Sequence, residues 1–277
     1  MVGSALRQRA ATAALLIPLT VAVVLWLPTP AFALCFAVVV LFGAWEWAAL
    51  AGLAATRART AYLIPIAAGM GLLWQTLGAG WSPWVLAGLS LWWWWVALTL
   101  PRIRVVEPLR GVTWRLLGSG SLVLLGPWLA LVYLHGLGRN GPLLVLFLLV
   151  LIWIADSAAY FSGRRWGRVK LAPMLSPGKT WVGAYGALAS ALIWGLLLVW
   201  GLALSWDRAL LALAVCVVSV AMSIVGDLYE SLLKRRRGLK DSGRLLPGHG
   251  GMLDRIDSLT AAAPFFALGL TLLGIGS

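Results

Sequence analysis

Long apolar runs separated by short basic or glycine-rich stretches dominate the pattern of this chain. The runs fall at about 11–27, 31–53, 61–78, 82–100, 116–138, 142–163, 181–205, 208–226 and 258–276. Each approaches the roughly 20 apolar residues that a helix needs to cross a hydrocarbon core. The pattern predicts an all-α, polytopic integral membrane protein with about nine transmembrane helices. No charged or low-complexity linker interrupts the series, so residues 1–277 read as a single membrane domain. Its N-terminal spans occupy about 1–140. A C-terminal half of about 142–277 holds two longer polar loops, at 164–180 and 227–257.

Composition supports the same class. The chain is 61% hydrophobic and 11% charged, far below the charge of an ordinary globular domain. Its net charge of +13 would raise the possibility of a nucleic-acid partner in a soluble protein, but here the basic residues have another cause. If the N-terminus is cytoplasmic, all of the 22 Lys and Arg residues except Arg139 and Arg208 fall on that side, as the positive-inside rule requires. Nine spans then put the C-terminus outside, and no nucleic acid is expected.

Several features are open at this level. Arg7, Arg9, an apolar stretch and "AFA" at 31–33 imitate a secretory signal with its cleavage site, and whether residues 1–33 are removed stays open; their loss would leave the remaining topology unchanged. Cys35 and Cys216 sit in apolar runs and read as small buried residues. The 18 tryptophans, "WWWW" at 92–95 among them, fit interfacial anchors and lipid-facing bulk. Glu46 lies within a span and is either a functional acid or an acid near the cytoplasmic end.

Six of the nine acids, Asp156, Asp227, Glu230, Asp241, Asp254 and Asp257, collect at the ends of spans six, eight and nine or in the last loop. A charge near a bilayer core costs on the order of 3 kcal/mol and is normally paired, hydrated or functional. Continuing span eight as a helix sets Asp227, Glu230, Ser231 and Lys234 on one face, and Asp254 and Asp257 share another. Between them lies a basic, glycine-rich stretch with "PGHGG" at 247–251, which permits tight turning and close backbone approach. Two acidic helix ends joined by a basic loop suit a hard cation together with a polyphosphate. His249, among glycines, is a candidate phosphate contact or proton carrier. The loop at 164–180 ends in "SPGKT" (176–180), where Lys179 is free to meet a phosphate. The spacing of a P-loop is missing.

The C-terminal pattern resembles that of the phosphatidate cytidylyltransferases, or CDP-diacylglycerol synthases. Ser231, Lys234, Arg235, Lys240, Asp241, His249, Gly250, Gly251, Asp254, Arg255 and Asp257 match the family's motif throughout. "SPGKTW" and "DSAAYFSGRRWGR" resemble its preceding segment, so the likeness is strong over about 150–260. One departure is Val182, where the family commonly has an acid.

The resemblance implies transfer of CMP from CTP to phosphatidic acid, giving CDP-diacylglycerol and pyrophosphate for phospholipid biosynthesis at the face of a lipid bilayer. It implies Asp227, Lys234, Asp254 and Asp257 as catalytic residues, with Asp227 and Asp254 as ligands of Mg2+. Ser176, Lys179, Ser231, Arg235, Lys240, Asp241, His249, Gly250, Gly251 and Arg255 would bind substrate. A second, monovalent cation and a homodimer are left open. Two other readings remain: a CTP-dependent lipid kinase, which would move the γ-phosphate, and an ion-coupled transporter, which would place acids near the bilayer midplane. Richness in Arg, Ala, Gly and Trp with four lysines points to a GC-rich bacterial genome. The expected location is the inner membrane, with the active site on the cytoplasmic side.

Overall fold

A computed structural model describes the backbone of residues 2–243, 245 and 250–275 and the side chains of the same residues apart from 2–11 and 13. Among the described residues it has nine α-helices and one β-hairpin: α1 (Val2–Trp26), α2 (Thr29–Leu50), α3 (Thr56–Gly78), α4 (Ser82–Thr99), α5 (Trp114–His135), α6 (Gly141–Trp166), β1 (Lys170–Ala172), β2 (Ser176–Thr180), α7 (Trp181–Gly201), α8 (Trp206–Arg236) and α9 (Leu253–Leu272). Seven of them, α2 through α8, are long and apolar enough to cross a membrane. In α1 the apolar stretch runs only over Ala14–Trp26, and α9 carries Asp254, Arg255 and Asp257 in its first turns.

The predicted spans recur as helices with shifted ends, and the shifts have causes. α8 continues past the apolar run that ends near residue 226, as the spacing of its polar residues suggests, for a total of 31 residues, because nothing between Gly226 and Arg236 breaks a helix. α9 begins at Leu253 rather than 258, with Asp254 in its first turn, where the helix dipole favours an acid. The last loop therefore shrinks to residues 237–252. Residues 164–180 depart further from the all-α expectation. α6 continues to Trp166, and then Lys170 and Ala172 pair antiparallel with Thr180 and Ser176 across the turn at Pro173–Leu175.

α5 and α9 occupy the interior. α9 is buried along most of its length, including Ala261, Ala262, Ala263 and Phe266, and it packs against α8, α5 and α4. Small residues permit this closeness: a Cβ at Gly226 of α8 would meet the backbone oxygen of Asp257, with Ala261 and Thr260 beside it. Elsewhere large apolar side chains such as Leu15, Leu34, Ile64, Leu72, Ile193 and Leu210 stand exposed, as they do on a surface solvated by lipid. The tryptophan run is not all outward. Trp94 and Trp95 are exposed, but Trp93 is fully buried, and Trp92 and Trp93 both meet the Tyr229 ring of α8 edge-on at 5.8 Å between centroids. Four consecutive residues span more than one helical turn, so they cannot share one face. Cys216 is buried as expected, whereas Cys35 is exposed.

The α8–α9 contact can be tested by adding one methyl group. Gly226→Ala should lower unfolding stability in detergent by about 1–3 kcal/mol through overpacking. Gly71→Ala on α3, with nothing within 4 Å of the added carbon, should raise it by about 0.5–1 kcal/mol, as removal of a helical glycine does. Equal thermal shifts for the two variants would contradict the packing described.

Candidate active site

The helical face predicted on α8 forms. Ser231 Oγ donates to Asp227 Oδ1 at 3.3 Å, and Lys234 Nζ lies 3.4 Å from Glu230 Oε1, one turn apart in each case. Lys234 then crosses to α9, where its ammonium donates to Asp254 Oδ1 at 2.6 Å. Asp257, one turn further along α9, lies within electrostatic reach of Asp227, Glu230 and Lys234. Glu230 is 3% exposed, and among the described residues neither of its carboxylate oxygens accepts a hydrogen bond. Its contact with Lys234 is thus an ion pair at a distance too long for a good hydrogen bond.

The hairpin brings a second set of residues to the same place. Leu175 at its turn packs with Leu228 and Leu232 of α8 and with Leu100 at the end of α4. Arg235 Nε donates to the Leu175 carbonyl at 3.3 Å. Thr180 ends β2 and caps α7, its hydroxyl accepting from Gly183 N at 3.1 Å. Held at both ends, β2 presents Lys179, whose ammonium sits 2.6 Å from Asp227 Oδ2. Asp156 of α6 lies within electrostatic reach of both Lys179 and Asp227. Three helix ends and a hairpin thus contribute four acids and two lysines to one cluster, with Asp254 at its edge.

The last loop is closed by two carboxylates. Asp254 Oδ2 accepts from Ser242 N at 3.0 Å and from Gly251 N at 2.8 Å. Glu46 of α2, 5% exposed, accepts from Met252 N at 3.1 Å through Oε1. Its Oε2 accepts from Leu253 N at 2.8 Å and from the Ser242 hydroxyl at 3.0 Å. The N-terminus of α9 has no side-chain cap of its own, since Met252 stands at the cap position. Glu46 supplies that cap from α2 and meets the positive end of the helix dipole. Gly250 has φ +81, and a Cβ there would approach Asp254 Oδ2. At Gly243 and Gly251 the space of a Cβ is already filled by the Glu46 carboxylate, with the Ser242 hydroxyl beside it at Gly251.

Of the residues expected at a site, Asp227, Ser231, Lys234, Asp254, Asp257 and Lys179 come together. Ser176 is at the start of β2, opposite Ala172. Lys240 and Asp241 are exposed in the loop, Gly250 and Gly251 form its closing stem, and Arg255 is exposed on α9. His249 lies outside the described residues. Asp254, expected as a metal ligand with Asp227, accepts from Lys234 through one oxygen and from two amides through the other, and Asp257 lies within electrostatic reach of Asp227. Most of the hydrogen bonds donated by the arginines at 235–237 go to backbone carbonyls. Arg235 also donates to the Leu239 carbonyl, Arg236 to that of Glu107, and Arg237 to those of Leu50, Leu109 and Gly111. Val182, in the first turn of α7, leaves that position without the acid that would answer the dipole.

Sequence reasoning gave no role to Asp156 or Glu230, though the scarcity of acids had marked both, and left Glu46 undecided. The missing information was which helix ends are neighbours.

A family model described as the cytidylyltransferase family matches residues 7–273. A phosphatidate cytidylyltransferase of Pseudomonas aeruginosa is 45% identical over 277 residues, covering 98% of this chain and 99% of that protein. One of Haemophilus influenzae is 50% identical over 131 residues, 46% of each chain. Another, of Brucella suis, is 46% identical over 140 residues, covering 50% of this chain and 51% of that protein.

The two lysines should differ in what they stabilise. Lys234→Met leaves Glu230 and Asp254 facing each other in a buried setting and should cost about 3–5 kcal/mol of unfolding stability. Lys179→Met removes a pair whose side chains are each 27% exposed and should cost less than about 1 kcal/mol. Thermal unfolding of the two variants in the same detergent reads the difference, and equal costs would contradict the burial argument.

Proposed function

Because the chain belongs to the cytidylyltransferase family, we propose that it transfers CMP from CTP to the phosphate of phosphatidic acid, releasing pyrophosphate and giving CDP-diacylglycerol. The observation that carries this reading is the Lys179–Asp227 ion pair at 2.6 Å. It joins "SPGKT" to the Asp, Ser, Lys face of α8, two motifs far apart in sequence that a single nucleotide site would need side by side.

The chemistry asks little of the protein as an acid or base. The lipid phosphate is already an anion at neutral pH, so one of its oxygens attacks the α-phosphorus of CTP directly. The bond from that phosphorus to the bridging oxygen of the β-phosphate breaks, and pyrophosphate leaves with the bond's electron pair. No proton has to be removed from the nucleophile. The work lies in alignment and in meeting the negative charge on the leaving group. Lys179 is half-exposed on a braced hairpin and can turn from Asp227 to a phosphate oxygen. Arg255 and Lys240, exposed at the loop side, can meet the rest of the triphosphate. Lys234 is buried between Glu230 and Asp254, so its task is to hold α8 and α9 in register.

Mg2+ is the cofactor this reading calls for, and the residues fit it in chemistry. Asp156, Asp227, Glu230 and Asp257 are hard oxygen donors, they outnumber the two lysines beside them, and the buried Glu230 oxygens accept no hydrogen bond among the described residues. Asp227 and Asp257 are the residues that would hold the ion, with Asp156 next to them. Among the described residues no three such side chains converge on one point. When bound, the ion would neutralise charge on the phosphate oxygens.

The acyl chains of the lipid would stay among the exposed apolar side chains while its phosphate reaches the helix ends. By the distribution of Lys and Arg, the bundle would cross the bacterial inner membrane nine times with its N-terminus and the site in the cytoplasm.

One experiment reads both the reaction and the sidedness. Inverted and right-side-out membrane vesicles containing the protein and phosphatidic acid are given Mg2+ and CTP labelled at either the α or the γ phosphorus. The expected result is α-label in chloroform-soluble lipid and γ-label in pyrophosphate, in inverted vesicles only, because CTP does not cross the bilayer. Label from the γ position in lipid would mark a kinase, the absence of labelled lipid would contradict the transferase reading, and α-labelled lipid confined to right-side-out vesicles would reverse the topology.

A further inference from the structure

We infer that Glu46 is a positioning residue for cytidylyl transfer, acting through Ser242 and the first residues of α9, to which it is hydrogen-bonded; the inference rests on the reaction proposed above. A buried carboxylate is costly unless it is fully hydrogen-bonded, and Glu46 has two amides and a hydroxyl on its two oxygens. A Ser, Asp or Asn at the cap position would close the end of α9 from within its own segment. The chain instead reaches back to α2, and what the distant carboxylate adds is a grip on both stems of the loop at once. Ser242 is on the outgoing stem, and Met252 and Leu253 are on the returning one.

Asp254 grips the same two stems, through Ser242 N and Gly251 N, and it is also the partner of Lys234. Any displacement of the loop relative to α2 is therefore passed to Asp254, and through Lys234 to the acids of α8. The glycines at 243 and 251 match this role, since each leaves the volume of a side chain to the Glu46 carboxylate. A cavity of about 250 Å³ lies beside Glu46, walled by Trp45, Arg59, Ser242 and Leu245. Glu46 touches none of the acids in the cluster and is not itself a catalytic residue. Its effect is to fix where Ser242 and the first turn of α9 stand when the triphosphate is aligned.

The test is Glu46→Gln, which keeps the size of the side chain but turns one acceptor into a donor that faces other donors. At saturating CTP and phosphatidic acid, kcat per folded protein should fall about 10- to 100-fold, in the range seen when supports of a site are removed. The KM for phosphatidic acid should stay within about twofold, because ground-state binding of the lipid does not pass through the loop. Gly251→Ala is the second route to the same displacement, pressing on the carboxylate with Glu46 intact, and should give the same loss of kcat. Folded protein is counted by size exclusion and thermal unfolding. Wild-type kcat in both variants, or a loss that tracks the folded fraction alone, overturns the role of Glu46. A wild-type protein that transfers no CMP at all would instead overturn the reaction it rests on, and the two failures are thereby distinct.

Discussion

The first turn of α9 is where the structure is decided, because free amides and the positive end of a helix dipole there meet two buried carboxylates from opposite sides. Glu46 and Asp254 between them accept from Ser242, Gly251, Met252 and Leu253. Amides at the edge of an apolar bundle would otherwise go unpaired, at a cost of about 1–3 kcal/mol each. With them satisfied, α9 can enter the core with its Ala261–Ala263 run against neighbouring helices and lie close along α8 at Gly226. That closeness is what lets Lys234 reach Asp254 and brings Asp257 within electrostatic reach of Asp227.

Lysine and arginine divide the work around the candidate site. Lys179 and Lys234, single charges on flexible stems, sit on carboxylates. Arg235, Arg236 and Arg237 use their several fixed donors on backbone carbonyls of other segments. Arg237 in particular ties the end of α2 to the segment at 109–111, so Arg236 and Arg237 act largely as a brace. Among the described residues, Lys240 in the loop and Arg255 on α9 are also exposed.

How much of this could be read in the sequence depended on whether the signal was local. The helices of the bundle follow from apolar runs, and the continuation of α8 from the spacing of Asp227, Glu230, Ser231 and Lys234, all within one element. The hairpin at 170–180 did not declare itself, because its three- and five-residue strands are too short for alternation to register and are held mainly by Leu175 in a small apolar cluster. Trp92 and Trp93 read in the sequence like the other tryptophans, as interfacial anchors or lipid-facing bulk, because composition does not tell the face of a helix that meets Tyr229 from the one that meets lipid. Glu46 stayed undecided for the same kind of reason: its partners lie about 200 residues away, and no periodicity within α2 points to them. The spacing of Asp254 to Asp257 is visible in the sequence, while the two amides from which Asp254 accepts become visible only in the fold.

If the two carboxylates act as one clasp, removing both should cost little more than removing the more important one. Hydrogen exchange of the segment 250–253, followed in wild type, Glu46→Ala, Asp254→Ala and the double variant, measures this directly. The account predicts strong non-additivity, with a coupling of about 1–3 kcal/mol between the two sites. Losses of protection that add to within about 0.5 kcal/mol would show two independent caps and contradict the clasp.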